Sequence, residues 1–110
     1  MKINFDDIWE KIIKPLEGKT VHTLDEKKPN KIVEVTNEYL KRNSENDSPA
    51  QTIPKEVFET VYNYIMDKGE ISRMEINKAL PKRFSSIVCA LLAKAPNIGH
   101  ALTPIRLFKK

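Results

Sequence analysis

Asp25-Glu26-Lys27-Lys28 is the run whose residue types come nearest to reaction chemistry. It holds the Glu-x-Lys spacing with which some metal-dependent nucleases bind a cation on carboxylates and use a lysine to help activate water. That chemistry needs a rigid strand and another acid facing it, whereas this run sits in a polar loop beside Pro29, so no catalytic role is expected of it. His22 and His100 lack the spacing of metal ligands and any nucleophile partner, and read as ordinary surface or strand histidines. Gly18, Gly69 and Gly99 are too far apart to form a phosphate-cradling loop, and a turn explains each. Cys89 is the only cysteine, which excludes an intramolecular disulfide and a Cys-based zinc site and fits a reducing compartment. Lying in the apolar run Ile87 to Leu92, it reads as a small buried side chain. The sequence therefore implies no catalytic residue, metal or cofactor, and the chain is expected not to be an enzyme.

Charge carries the stronger signal. No acidic residue follows Glu75, while the last 35 positions hold seven Lys/Arg (Lys78, Lys82, Arg83, Lys94, Arg106, Lys109, Lys110) and His100. Residues 1–75 hold 15 Asp/Glu against 12 Lys/Arg, so the net +4 is the sum of −3 and +7. Such a split speaks of partners rather than fold, and the basic half is where a polyanion would bind, with nucleic acid the first to consider. Surface lysines and arginines also serve simply to solvate a face. No apolar run approaches the roughly 20 residues of a membrane span, and Asp6, Asp7 and Glu10 interrupt any signal-peptide pattern, so a cytoplasmic protein without a membrane partner is expected.

The elements that must position these residues follow from periodicity. At 110 residues the chain has the length of about one domain, 1–110, divided into a helix plus β-meander over 1–50 and a helical unit over 51–110. Phe5, Ile8, Trp9, Ile12, Ile13 and Leu16 recur at helical spacing over 4–16, with Asn4 or Asp6 as caps and Pro15 as the break. Thr20 to Leu24 and Lys31 to Thr36 are rich in β-branched residues and predict a hairpin, to which Glu38 to Arg42 adds a third strand. From Pro54 the helical period returns through Val57, Phe58, Val61, Tyr62, Ile65 and Met66, ending at Lys68-Gly69. Ser72 and Glu75 have capping-box spacing ahead of a short helix that stops before Pro81. Ser85 or Ser86 would cap a third helix, Ile87 to Ala95, after the connection Pro81 to Phe84. Ile98 to Phe108 reads as an extended tail or hairpin. The expected fold class is α+β.

Three helices joined by tight turns and followed by an extended segment match the order of a winged helix-turn-helix domain. The stretch Lys68-Gly69-Glu70-Ile71-Ser72-Arg73-Met74-Glu75-Ile76 resembles the lead-in to the second helix of winged-helix proteins. Phe84-Ser85-Ser86-Ile87-Val88 resembles the start of their recognition helix. The resemblance covers residues 54–108. It implies a recognition helix in the DNA major groove and a β-wing on the backbone or minor groove. More loosely, the N-terminal helix and meander resemble accessory modules found beside prokaryotic restriction or mobile-element proteins.

On that resemblance Arg83, Ser85 and Ser86 would stand at the N-terminal end of the recognition helix, where hydroxyls and backbone N–H groups meet a phosphate. Lys82 would add charge there, Lys94 lies on the exposed side of the same helix, and Arg106, Lys109 and Lys110 would neutralise phosphates on or beyond the wing. Ser86, Cys89, Ala93 and Lys94, at the expected exposed positions, include no Asn, Gln or Arg to read a base, so backbone contact to double-stranded DNA by a non-catalytic accessory protein is the expectation. The apolar excess of Ile87 to Ala93 supports the alternative, a protein-interaction module that forms a homodimer or joins a larger assembly, because such a helix is buried on two sides.

Overall fold

The computed structural model describes residues 4–24, 27–43, 50–79, 82–101 and 105–110, with the side chains at Arg73, Asn77, Ala79, Lys82, Arg83 and Phe84 left aside. Residues 1–3, 25–26, 44–49, 80–81 and 102–104 lie outside the described residues, and with them the Asp25-Glu26 pair, the expected loop 43–49 beyond Asn43 and the Pro81 stop.

Asn4 caps the first helix, its Oδ1 accepting from Asp6 N at 2.9 Å. One α-turn, α1 (Phe5–Ile8), widens into a π-helical stretch Trp9–Ile13 and tightens into a 3-10 turn Lys14–Leu16. Pro15 accounts for the widening: it has no N–H to donate, and its ring would crowd the Lys11 carbonyl in a regular helix. The helical path ends at Leu16, where the apolar spacing over 4–16 ends, with Pro15 inside the closing 3-10 turn. The buried stripe Phe5, Ile8, Trp9 and Ile13 faces the core, and Trp9 Nε1 donates to the Thr36 carbonyl at 2.7 Å.

The meander has four strands rather than three, in the order β1-β2-β3-β4, all antiparallel: β1 (Thr20–His22), β2 (Pro29–Val35), β3 (Tyr39–Asn43) and β4 (Gln51–Pro54). β4 escapes a sequence reading because it has one large apolar residue and ends in proline; pairing with β3, which sets Ile53 opposite Leu40, makes it a strand. Val21, Ile32, Val35, Leu40 and Ile53 point into the core, and the alternate residues point outward.

Pro54 ends β4 and serves as N-cap of α2 (Lys55–Lys68). Phe58, Val61, Tyr62 and Ile65 form its buried face, as the 3.6-residue period predicts. Gly69 closes the helix at φ 92°, a left-handed conformation that glycine adopts without a Cβ penalty. Ser72 and Glu75 form the capping box: Glu75 N donates to Ser72 Oγ at 3.2 Å and Ser72 N donates to Glu75 Oε1 at 3.1 Å. They open α3 (Arg73–Ala79).

Two features of this half differ from expectation. Glu70–Ser72 is a strand, β5, too short to show a period of its own. The next helix, α4, runs Lys82–Leu92, so it starts five residues before Ile87 and ends three before Ala95. Proline is tolerated at a helix start as readily as it stops a helix, so Pro81, outside the described residues, does not fix this boundary from the sequence. Ser85 and Ser86 are consequently interior to α4 and cap nothing.

β6 (Ile98–Ala101) and β7 (Arg106–Lys109) complete a second antiparallel sheet in the order β5-β7-β6. Ile71, Leu107 and Ile98 turn inward. The fold class is α+β, and one buried cluster runs through both halves, with Trp9 and Phe58 rings 5.4 Å apart and Phe5 and Tyr62 rings 5.3 Å apart. α4 touches α2, α3 and β1, so it lies between the helical unit and the meander.

Candidate nucleic-acid interface

The residues expected at a phosphate site fall into four places. α4 begins with Lys82 and Arg83, so both stand at a helix N-terminus as expected, although that terminus lies upstream of the serines. Ser85 is 4% exposed, which leaves its hydroxyl no access to a phosphate; Ser86 is half-buried. From Ile87 to Leu92 every side chain is buried, including Cys89 at 1% exposure. Cys89 is buried, as its place in the apolar run Ile87 to Leu92 predicts, and not exposed as its position on a recognition helix would have it; α4 contacts β1, α2 and α3. A helix enclosed in this way has no free face between 87 and 92 to lay in a major groove.

Lys94 follows α4 in an exposed turn. Arg106 lies on the outer face of the second sheet, in the register row Ser72-Arg106-Ala101. Its guanidinium is 3.7 Å from Glu70 and sits over the Phe108 ring, 5.4 Å from the centroid. Both partners of the ion pair are about half exposed, so the pair contributes at most about 1 kcal/mol and Arg106 can exchange Glu70 for another anion at little cost. Phe108 in turn covers Gly99 on the neighbouring strand, at the one position where a Cβ would collide with its ring.

Lys109 and Lys110 border an open cleft of about 810 Å³, together with Phe5, Glu59, Tyr62, Asp67 and Asn97. Asn97 Nδ2 donates to Tyr62 Oη at 2.8 Å, and Lys110 N donates to the Asn97 carbonyl at 3.0 Å, which ties the chain end to α2. These lysines therefore share their surroundings with two carboxylates. The last 35 residues contain no acid, yet the fold brings Glu70 of β5 to Arg106 and sets Glu59 and Asp67 of α2 in the same cleft as Lys109 and Lys110. Charge summed along the chain and charge summed in space differ here.

Three further polar groups are tuned by their surroundings. The hydrogen bond from Tyr64 holds the Glu75 carboxyl below its usual range, with the Ser72 contacts adding to this, and the same Tyr64–Glu75 bond raises the Tyr64 phenol. Burial lowers the Arg42 guanidinium, which donates to Asn30 on the inner side of the meander. Among the described residues no group of three or more His, Cys, Asp or Glu could hold a metal ion, and no helix is long and apolar enough to cross a membrane.

No protein-family model, curated protein or solved structure matches this chain. Sequence alone does not mark Phe108 or Gly99; the signal for them is the hairpin register, which sets an aromatic opposite a glycine.

Proposed function

We propose that this chain is a non-catalytic, winged-helix-like accessory protein that holds duplex DNA by its phosphate backbone, through the C-terminal hairpin rather than through a base-reading helix. What carries this reading is the β6–β7 hairpin, which follows three helices in winged-helix order and exposes His100, Arg106 and Lys109. The enclosure of α4 supports the second part, because the helix that reads bases in that family has no free face here between Ile87 and Leu92. Lys94, Arg106, Lys109 and Lys110 are the described exposed cations of the interface, with Lys82 and Arg83 placed at the start of α4.

Fluorescence anisotropy of a labelled random-sequence duplex tests the reading. Four phosphate contacts correspond to a slope of about −3.6 in log K against log salt, or roughly a hundredfold loss of affinity between about 50 and 200 mM salt. Arg106→Gln/Lys109→Gln should flatten that slope by about 1.8. Absence of binding at the lower salt would end the proposal. A protein-interaction module is the second reading, favoured by Met74, which is 70% exposed on α3 beside Glu75 and its Tyr64 partner. A stable oligomer that ignores DNA, seen by light scattering on a sizing column, would put that reading first.

A further inference from the structure

We propose that the outer face of the β1–β2 hairpin is a second phosphate-contacting surface, so that bound duplex DNA is gripped by the N-terminal sheet as well as by the C-terminal hairpin. The proposal rests on the DNA-binding reading above and extends it to the half of the chain whose summed charge is negative.

The strand register places the groups. Val21, Asn30 and Ile32 turn inward, which leaves Thr20, His22 and Lys31 on the opposite face. Lys31 stands in the middle of a cross-strand row, with Thr20 on β1 and Asn43 on β3 as its neighbours. A hydroxyl, an ammonium and an amide in one row are donor types that contact phosphate oxygens. Lys19 is exposed immediately before β1, and Lys27 is exposed in the loop that joins the two strands. Among the described residues none of Lys19, Lys27 and Lys31 is paired with a carboxylate. The nearby described acids are engaged elsewhere: Glu34 accepts from Tyr39 Oη at 2.9 Å and lies 3.8 Å from Lys41, and Glu17 accepts from Val35 N at 2.8 Å. Residues 19–31 hold four lysines against two acids, so this stretch is net positive inside a net negative half.

Lys27 adds an independent observation. Its φ is +56°, the left-handed region that a lysine enters at a cost of about 1 kcal/mol and a glycine enters freely. The loop ends are fixed around it, since Thr23 N donates to the Lys28 carbonyl at 3.0 Å and Lys28 N donates to Thr23 Oγ1 at 2.9 Å. A long cation held on a strained backbone at the tip of a pinned hairpin fits a side chain that is used. β1 also packs against α4, so the hairpin belongs to the same rigid body as the helical unit.

DNA fits this face better than a lipid surface does. Membrane-surface binding needs apolar side chains to bury among the acyl chains, and Val33 is the single large apolar side chain exposed on this sheet among the described residues.

The test measures duplex affinity against salt for the wild type, Lys19→Gln/Lys31→Gln, Lys27→Gly and Arg106→Gln/Lys109→Gln. The proposal requires the log–log slope to flatten by about 0.9 for each lysine removed. Lys27→Gly should do so while its melting temperature holds or rises, which separates lost contact from lost fold. Unchanged slopes for the hairpin variants, with a flattened slope for Arg106→Gln/Lys109→Gln, would overturn this proposal and leave the DNA-binding reading standing. A wild type that binds no duplex removes both. Wild type that binds equimolar phosphatidylserine–phosphatidylcholine vesicles in place of duplex would assign the face to lipid and refute the inference.

Discussion

Replacing Gly99 by alanine puts a methyl group where the Phe108 ring lies. The new Cβ would sit 2.5 Å from Cε1, 2.6 Å from Cζ and 3.2 Å from Cδ1. Carbon atoms rest at about 3.5–4.0 Å, so the overlap is about 1 Å and the ring must swing away. Overpacking of this kind costs about 1–3 kcal/mol. Gly99 is not in the left-handed region, so alanine also recovers about 0.4–1 kcal/mol by restricting the unfolded chain. The net loss is then about 1–2 kcal/mol. With an unfolding entropy of about 2.1 cal/mol/K per residue, 110 residues give about 0.23 kcal/mol/K, and the melting temperature should fall by about 4–9 °C. A double-mutant cycle isolates the cause: in a Phe108→Ala background, Gly99→Ala should be neutral or mildly stabilising. Thermal unfolding followed by circular dichroism reads all four proteins. If Gly99→Ala costs as much without the ring as with it, the steric account is wrong.

Four other outcomes follow from the contacts described. Ser72→Ala removes one half of the capping box and should cost about 1 kcal/mol in urea unfolding. Because Tyr64 and Ser72 depress the Glu75 carboxyl, that residue contributes stability above its ordinary range of about 4.3, and the contribution is lost as the pH falls through its lower folded value. Glu75→Gln should therefore flatten the acid limb of a stability–pH curve and leave the neutral-to-basic limb unchanged in shape. Trp9→Phe leaves the Thr36 carbonyl without its donor, at about 1–3 kcal/mol, checked by circular dichroism because Trp9 is the only tryptophan. Finally, the buried Cys89 thiol should react with an aromatic disulfide reagent only as fast as the protein opens, and at once in denaturant.

Much of this fold was readable where local chemistry decides. The Asn4 cap, the Ser72–Glu75 box, the apolar stripe of α2 and its Gly69 stop are each set by residues within one or two turns of one another. β4 and β5 were not readable, because Gln51-Thr52-Ile53-Pro54 and Glu70-Ile71-Ser72 are strands only by virtue of partners far along the chain. The start of α4 was misplaced for a related reason: Ser85 and Ser86 look like caps, and only the buried position of Ser85 shows that the helix is already under way. The charged surface was half legible. Position along the chain identifies the basic C-terminal residues, but it does not reveal Glu70 at Arg106, the carboxylates that share a cleft with Lys109 and Lys110, or that Lys19, Lys27 and Lys31 pair with no carboxylate among the described residues.

The enclosure of α4 also bears on how the molecule comes apart. Its six residues Ile87 to Leu92 are shared wall between the meander and helices α2 and α3, so neither the meander nor the helical unit can shed this helix without exposing the other's apolar side. Independent melting of the two halves is thereby suppressed, and the amides of α4 belong to the slowest-exchanging set, which open only when the whole chain opens. A chain of two dissimilar halves should accordingly unfold in a single cooperative step.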